Sequence, residues 1–457
     1  MASGLIALAL GIFGLMCLMA VIKPHWALVL ILSFFGYEQL LTSFMPIFAQ
    51  KSWLINVLAT GLAGMAVISA MINGRRPFRG TFNANMMLIF ALYVFASASV
   101  VYSLMPSAGM YFLRTGAPSI FLMCVILPLL VYSEDQIQKM CIPLMLVGSA
   151  LVLMILVSPR TEIYGTRLFI DMSYTKGADE RGNPLAIAEV GGFMMIAAVL
   201  MEPKNKNPLI SILRVGSILL GLLISFLVGS RGQLLFSVAF AVMFYPLAHE
   251  IRNLKQFFTR AVSVGVLGLI IFSAARIVLS SSDASERFSS ESLSDGLSSR
   301  MYYITTIFDE YASRPTHYLQ GLGSGAFNAF VSHKGDGYIY PHNLIIEILT
   351  HHGIIGIALL IGIFAFTGKH TLSLIRSGFS GAVDRSSIAI VLALAAYVTM
   401  ISMKQGSFLL YPLPFYMYLV ISKIYTRVSL EGSSSGDLSP DSEYEDYADS
   451  DFQGDEY

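Results

Sequence analysis

Apolar runs of about 17–22 residues recur along the whole chain, and short polar segments separate them. A helix of that length crosses the roughly 30 Å hydrocarbon core of a bilayer, because each residue advances it by about 1.5 Å. The pattern predicts an all-α polytopic membrane protein with about 12–13 transmembrane helices and one large loop outside the membrane. The predicted spans are residues 4–22, 26–45, 53–72, 86–104, 117–132, 140–158, 184–201, 209–228, 232–248, 260–279, 343–366, 386–404 and 406–422.

The composition agrees with a membrane protein. Hydrophobic residues make up 55% of the 457 positions and charged residues only 13%. Soluble domains, by comparison, carry about 25% charged residues. The three cysteines, Cys17, Cys124 and Cys141, lie in apolar runs without motif spacing, so we predict neither a disulfide nor a metal site from them. The first span has no Lys or Arg before Lys23, unlike a signal peptide, and is predicted to remain uncleaved.

Basic clusters in the short loops indicate the orientation, because Lys and Arg are retained on the cytoplasmic side. The loop with Arg75, Arg76 and Arg79 is therefore predicted to be cytoplasmic. Alternation of the spans brings four further clusters to the same side: Lys204, Lys206 and Arg214; Arg252, Lys255 and Arg260; Lys369, Arg376 and Arg385; Lys423 and Arg427. Five clusters agree on one topology.

This topology divides the chain into six segments. They are transmembrane helices in 1–158, a first outer loop in 159–183, transmembrane helices in 184–279, a large outer loop in 280–342, transmembrane helices in 343–427, and an acidic segment in 428–457. The large loop is too long for a simple connector. Its part from Ser299 to Arg314 has apolar residues at helical spacing and predicts an amphipathic helix on the membrane. The acidic segment is predicted to be disordered and cytoplasmic.

A tight turn at the outer end of one span holds the first candidate site residue. Gly229-Ser-Arg231-Gly232 interrupts two apolar runs, where an arginine is costly unless it reaches water or an anion. The flanking glycines, Gly229 and Gly232, would leave the guanidinium free for bidentate contact with a phosphate. The alternative is an arginine that reaches the lipid headgroups. The local sequence leaves both readings open.

The two outer loops hold further candidates. Arg300 precedes Gly321-Leu-Gly323-Ser-Gly325, whose glycines permit positive φ and a close approach of the backbone to a ligand. No predicted strand precedes these glycines, so a nucleotide site is rejected, and an ordinary flexible loop is the alternative. Arg181 leads directly into a span and could position a second phosphate at the membrane surface.

His342 is the candidate general base. It lies in Tyr340-Pro-His-Asn-Leu344 at the start of a long apolar helix, and imidazole transfers protons near neutral pH. Pro341 fixes the backbone and Asn343 can cap the helix, although a purely structural histidine is the alternative. His351 and His352 lie about 13 Å or more further along that helix, too far to share a metal with His342. We predict no metal and no cofactor.

These motifs resemble the O-antigen ligase and O-antigen or exopolysaccharide polymerase superfamily. The resemblance covers roughly residues 215–365 and rests on the order of the Gly229–Gly232 turn, Arg300, the Gly321–Gly325 segment and Pro341-His-Asn-Leu344, which runs into Gly353-Ile-Ile-Gly356. It implies a metal-independent, C-type glycosyltransferase-like membrane fold that works at the periplasmic face of the bacterial inner membrane. The implied donor is an oligosaccharide on undecaprenyl pyrophosphate.

The resemblance also implies roles for single residues. Arg231 and Arg300 would hold the pyrophosphate, with Arg181 at a second phosphate. His342 would deprotonate the attacking sugar hydroxyl, giving inversion at the anomeric carbon. Gly229, Gly232, Asn343 and Gly323 would support these side chains.

Three functions remain open at this point. A polymerase is favoured over a ligase because nothing marks a site for lipid A-core, although both functions share these motifs. A transporter or flippase would carry charges in mid-span, whereas the predicted spans are nearly free of charge in their middle, with Glu189 and Lys404 as the exceptions. The expected partners are the lipid-linked oligosaccharide and the bilayer. A chain-length regulator or another polysaccharide assembly protein is a candidate partner, and no nucleic acid is expected.

Overall fold

The computed structural model describes residues 2–51, 53–164, 167–176, 180–202, 207–249, 290–331 and 338–436, together with the single positions 255, 258 and 262. Fifteen α-helices and one β-hairpin make up this described part. The prediction of an all-α polytopic membrane protein is confirmed.

The helices follow one another with short connections. In chain order they are α1 Ala2–Ile22, α2 His25–Phe44, α3 Pro46–Gln50, α4 Trp53–Ile72, α5 Ala84–Ala98, α6 Pro106–Phe121, α7 Asp135–Val157, α8 Ser173–Lys176, α9 Pro184–Leu200, α10 Pro208–Leu227, α11 Arg231–Ala248, α12 Ser290–Ala312, α13 Leu344–Phe379, α14 Arg385–Ser402 and α15 Leu413–Gly436. A 3₁₀ turn, Ser99–Tyr102, extends α5, and a π turn, Leu122–Ile126, with a 3₁₀ turn, Leu127–Leu130, extends α6. Two further 3₁₀ turns are Pro315–His317 and Ala326–Ala329.

Ten helices of the described part are long and apolar enough to cross a membrane: α1, α2, α4, α5, α6, α7, α10, α11, α13 and α14, with α5 and α6 counted together with their extensions. The shorter apolar helix α9 and the helix α15 coincide with two more predicted spans. Twelve of the thirteen predicted spans therefore contain a helix. The remaining one, 260–279, lies outside the described residues except for position 262, and the basic residues Lys204, Lys206, Arg252 and Arg260 also lie outside them.

The largest boundary differences from prediction are at α6, at the last helix and at α13, which continues to Phe379 rather than ending at 366. The sixth helix begins at Pro106 rather than near residue 117, because Arg114 lowers the hydropathy of its first half below that of a typical span. The last helix begins at Leu413 rather than 406 and continues to Gly436, so the beginning of the segment predicted to be disordered is helical. Residues 437–457 lie outside the described residues. The hairpin of β1, Thr161–Tyr164, and β2, Arg167–Ile170, was not predicted, because its strands are only four residues long.

One end of the helix bundle, here called the basic end, gathers the loops with basic clusters. Lys23, Arg75 and Arg427 line one cavity there. The guanidinium of Arg385 donates to the carbonyl oxygen of Leu247 (3.2 Å), and the Nε2 of Gln138 donates to Asp384 (3.1 Å). Among the described residues, the loops that the sequence assigned to one side of the membrane therefore lie at one end of the bundle.

The opposite end, here called the loop end, holds the hairpin, α12 and the segment that precedes α13. The centre of the bundle is formed by α9 and α14, where fifteen and fourteen residues, respectively, are buried. Because these two helices are apolar on nearly every face, they are surrounded by other helices and fix the position of the residues at their ends.

Candidate functional site

A break in the long helix α13 organises the loop end. Gly353 has φ 62° and ψ −156°, which interrupts the helical hydrogen bonds within an apolar helix. The N–H groups of Ile354 and Ile355 donate instead to the carbonyl oxygens of Tyr318 (2.9 Å) and Leu319 (3.1 Å). Unpaired backbone groups are costly at membrane depth, so a break of this kind requires protein partners.

The segment Gly321–Gly325, here called the glycine segment, supplies partners on the other side of the break. The N–H of Leu322 donates to the carbonyl oxygen of Thr350 (2.8 Å), and the N–H of Gly323 donates to that of His351 (2.9 Å). The backbone of the large loop therefore provides hydrogen bonds in place of those that the helix lacks at the break. The glycine segment and the first half of α13 form one unit.

Each glycine of this segment is required by geometry. Gly321, Gly323 and Gly325 have φ values of 80°, 89° and 80°, in the left-handed region that favours glycine. A Cβ at Gly323 would lie 2.3 Å from the Cα of Ser103, and the other two would clash with backbone as closely. The backbone makes a close approach at these glycines, as predicted, but it approaches other backbone of the protein and not a ligand. Gly323 therefore contributes to packing.

Helix α12 covers the glycine segment. Its residues Ile307 and Tyr311 are buried and pack against Leu322 and Phe327 of the large loop. The amphipathic helix predicted from Ser299 to Arg314 is present, and its apolar face packs on the protein's own loop. This packing brings Tyr303, on the same helix, over the turn that contains His342.

His342 occupies a strained turn at the start of α13. It is the one described residue other than glycine with a positive φ, 56°. Such a conformation costs about 1–3 kcal/mol and is concentrated at functional sites. The imidazole ring lies 4.5 Å from the ring of Tyr340 and 6.2 Å from that of Tyr303, measured between centroids. Two aromatic rings therefore fix its orientation.

The predicted helix cap is present next to it. The side-chain oxygen of Asn343 accepts a hydrogen bond from the N–H of Ile346 (3.0 Å), and the side-chain amide donates to the carbonyl oxygen of Met403 (3.3 Å). Asn343 thus ties the start of α13 to the end of α14 as well as capping its own helix.

A cavity of about 680 Å³ opens in front of His342 at the loop end. Ligand sites commonly have volumes of about 300–1,000 Å³. Helices α2, α9 and α12, strand β2 and the segment 403–412 contribute its walls. Its charged, titratable and amide-bearing residues are Gln39, Arg167, Asn183, Glu189, Tyr303, Tyr340, His342, Lys404, Gln405 and Tyr411. Polar groups that converge on a cavity with an apolar remainder are typical of a site that orients a ligand.

The Gly229–Gly232 turn packs against the wall of this cavity. The Nζ of Lys404 donates to the Oε1 of Gln233 (3.2 Å), and the Nε2 of Gln233 donates to the Oε1 of Gln405 (2.9 Å). Gly229 has a φ of 63°, so it supplies the left-handed conformation that the turn needs. The predicted site residue Arg231 begins α11 immediately after this turn and is partly buried.

Arg300 lies on α12, one helical turn before Tyr303. Residues three apart on a helix share a face, so the position of Arg300 is on the face that carries Tyr303 toward the cavity. The structure thus brings the backbone positions of Arg231, Arg300 and His342 to the same end of the bundle.

Arg181 is separate from these three. Its Nε donates to the Oε1 of Glu162 (2.9 Å), and its guanidinium carbon lies 3.6 Å from the centre of the Tyr164 ring. It is therefore held on the β-hairpin, and Arg167 is the arginine of the first outer loop that lines the cavity. Nothing in the sequence distinguished Arg167 from the other basic residues of that loop.

Two buried carboxylates hold the segment 403–412 in place. The hydroxyl of Tyr411 donates to Glu189, and the hydroxyl of Ser407 donates to the Oε1 of Glu347 (2.5 Å). The N–H of Phe408 donates to the second oxygen of Glu347 (3.3 Å).

Tyr340 is kept neutral. Burial, and secondarily the nearby carboxylate of Glu347, raises the pKa of the Tyr340 phenol above its ordinary value. Its hydroxyl therefore remains protonated next to His342.

Sequence comparison agrees with the location of this site. Residues 216–361 match the family model described as O-antigen ligase. This part, about a third of the chain, is similar to that family. The matched range includes Arg231, Arg300, the glycine segment, His342 and the break at Gly353. No curated protein shows a significant match to the chain.

The matched range contains the candidate base and two of the candidate arginines. The other walls of the cavity come from outside this range. Arg167, Glu189 and Lys404 all lie beyond residues 216–361. The sequence marks Lys404 only as an isolated charge near the end of a predicted span, and this costly position is the one indication that it has a role.

Proposed function

We propose that this protein is a polysaccharide polymerase. It transfers a glycan from undecaprenyl pyrophosphate to a sugar hydroxyl of a lipid-linked repeat unit, without a metal and with inversion. The observation that carries the proposal is the cavity of about 680 Å³ that brings His342 together with Arg167 and Lys404, against the turn that leads into Arg231. The match to the O-antigen ligase family supports a glycosyl-transfer function and a lipid-linked sugar as substrate.

The proposed reaction is a single displacement. The hydroxyl oxygen of the acceptor attacks the anomeric carbon of the donor and forms the new glycosidic bond. The bond between that carbon and the pyrophosphate oxygen breaks, and undecaprenyl pyrophosphate leaves with the bonding electrons. His342 takes the hydroxyl proton, as a neutral imidazole can. One bond forms and one breaks on opposite faces of the sugar, which gives inversion.

The cationic residues stabilise the leaving group. Negative charge grows on the pyrophosphate as its bond to the sugar breaks, and cations placed there beforehand lower the barrier. Arg231 and Arg300 hold the pyrophosphate in this proposal, and Lys404 and Arg167 contribute from the cavity wall. The planar guanidinium groups suit bidentate contact with phosphate oxygens.

The proposed location is the bacterial inner membrane, with the cavity facing the periplasm and the end of α15 in the cytoplasm. Clustering of Lys and Arg at the basic end supports this orientation, since basic loops are retained in the cytoplasm. The lipid-linked donor then enters from the outer leaflet of that membrane.

Ligation is the second candidate function. The description of the matched family, O-antigen ligase, favours it. A ligase would use the same donor, base and cations but would transfer the glycan to the outer core of lipid A. The two functions differ in acceptor alone, so the product distinguishes them.

The test is complementation of a deletion strain with His342→Ala, Arg231→Ala and Arg300→Ala, each checked for membrane expression. His317→Ala is the matched control, because His317 lies at the same end but outside the cavity. Surface glycan is read as a gel ladder, and lipid-linked repeat units are quantified in parallel.

Each product pattern has a definite meaning. Loss of long polymer, with single units still transferred to lipid A-core, supports the polymerase. Polymer that accumulates on undecaprenyl carrier with none on lipid A identifies a ligase. An unchanged glycan in all three expressed variants overturns the catalytic assignment and favours a transporter.

A further inference from the structure

A second cavity, of about 970 Å³, lies at the basic end and is unrelated to the glycosyl-transfer site. The α1–α2 turn, the α4–α5 loop, the start of α7 and helix α15 form its walls. Its lining contains six Lys or Arg residues and one carboxylate, that of Asp135; the six are Lys23, Arg75, Arg76, Arg79, Lys139 and Arg427. The cavity therefore has a strong positive charge.

Few of these basic side chains form an ion pair with an acidic residue within the described part of the chain. Lys139 pairs with Asp135, and the guanidinium of Arg75 lies over the ring of Tyr132 at 5.4 Å. Lys23, Arg76 and Arg79 have no ion-pair partner among the residues that the structure describes. Like charges around one concave surface repel each other and attract an anion.

The chain itself supplies a matching anion. Residues 437–457 contain nine Asp or Glu and no Lys, Arg or His. This acidic segment follows directly after α15, and α15 contributes Arg427 to the cavity wall before it ends at Gly436. The acidic segment therefore starts at the basic end of the bundle.

The distances allow the acidic segment to return to the cavity. Nine residues of helix separate Arg427 from Gly436, which is about 14 Å at 1.5 Å per residue. A flexible chain of ten residues has a root-mean-square span of about 17 Å. The carboxylates from Asp441 to Asp451 therefore reach the cavity without stretching the chain.

We propose that the acidic segment 437–457 docks into the basic cavity. It is a better occupant than a free anion, because its attachment to α15 gives it an effective concentration of about millimolar at the cavity. Docking joins the end of α15 to the α4–α5 loop and to α7 through ion pairs. The interaction depends on charge, so salt weakens it.

Carbodiimide cross-linking of the full-length protein tests the proposal. The reagent activates a carboxylate, an adjacent lysine amine attacks it, and an amide bond forms with release of a urea. Lys23 and Lys139 are the two amines in the cavity. In nanodiscs of phosphatidylcholine at low salt, we expect Lys23 or Lys139 joined to acids of 437–457 within one molecule, identified by mass spectrometry. A mixture of isotope-labelled and unlabelled protein separates intramolecular from intermolecular links.

Two changes should reduce the yield of these links. Salt at 1 M shortens the screening length to about 3 Å and should abolish them. The triple variant Arg75→Gln, Arg76→Gln and Arg79→Gln should lower the yield about fivefold, as expected for the loss of three solvent-exposed ion pairs. The matched control is Arg376→Gln, because Arg376 lies near the same end of the bundle but outside this cavity.

Three outcomes overturn the proposal. The first is a set of links between different molecules only. The second is an equal yield of links to Lys369, which lies outside the cavity. The third is loss of the links when phosphatidylglycerol replaces phosphatidylcholine, which would identify an anionic lipid headgroup as the occupant. The salt experiment uses the unmodified chain, so it remains decisive even if the triple variant does not fold.

Discussion

The side chain of Lys404 crosses directly over Gly232, so closely that a Cβ at residue 232 would lie 2.3 Å from the Lys404 Nζ. The glycine that follows Arg231 therefore makes room for a cation that lines the proposed active site. This contact joins the start of α11 to the segment after α14, two parts of the chain more than 170 residues apart.

Gly232→Ala should displace Lys404 and lower glycan formation about tenfold, since small misplacements of charged groups in an active site are costly. The clash is with the flexible end of a side chain, so the variant should reach the membrane at normal levels. Gly216→Ala is the matched control, because nothing lies within 4 Å of a Cβ on that glycine of α10. Normal polymer from Gly232→Ala would remove Lys404 from the mechanism.

Gly353→Ala should destabilise the protein by about 2–4 kcal/mol through backbone strain and lost hydrogen bonds. Its Cβ would lie 2.6 Å from backbone atoms of Gly321, Leu319 and Tyr318, none of which can move alone. Gly368→Ala on the same helix has open space around it and should be tolerated. Thermal unfolding in detergent compares the two, and equal midpoints would contradict the described break.

His342→Gly should separate stability from activity. Glycine adopts a φ near 56° without the cost of about 1–2 kcal/mol that a side chain incurs, so the variant should be at least as stable as the parent. Loss of the base should lower transfer roughly a hundredfold or more. Thermal unfolding and polymer yield are measured on the same preparation. A variant that is clearly less stable would show that the imidazole has a packing role.

Arg167→Ala and Arg181→Ala should have different effects on polymer yield. Arg167 lines the cavity, so its removal should lower polymer yield about tenfold as a cation near the leaving group is lost. Arg181 is paired with Glu162 on the hairpin, and its removal should change the free energy of unfolding by about 1 kcal/mol or less while transfer continues. If Arg181→Ala lowered polymer yield more than Arg167→Ala, Arg181 and not Arg167 would be assigned to phosphate binding.

The sequence predicted the helical architecture well, because an apolar run long enough to span a bilayer satisfies its backbone hydrogen bonds by forming a helix. The capping of α13 by Asn343 followed from its position before an apolar helix. Short elements were missed: the β-hairpin has strands of four residues, and the first turns of α6 carry Arg114 in a weakly apolar stretch.

The candidate site was predicted only in part. His342, Arg231, Arg300 and Arg181 all lie at the loop end of the bundle, but Arg181 pairs with Glu162 on the hairpin and does not line the cavity. Lys404 and Arg167 are more than sixty residues from His342 along the chain, and only tertiary packing brings all three to one cavity. Local sequence patterns do not show which distant residues come close together in the folded protein.

The four main-chain hydrogen bonds between residues 318–323 and 350–355 restrict how this protein can move. Straightening α13 would break all four of these hydrogen bonds. We therefore expect the bend to persist and the first half of α13 to hold His342 in a fixed position. Substrate entry and product release must then be accommodated by other walls of the cavity, so distances measured between spin labels across the bend should be the same with and without substrate.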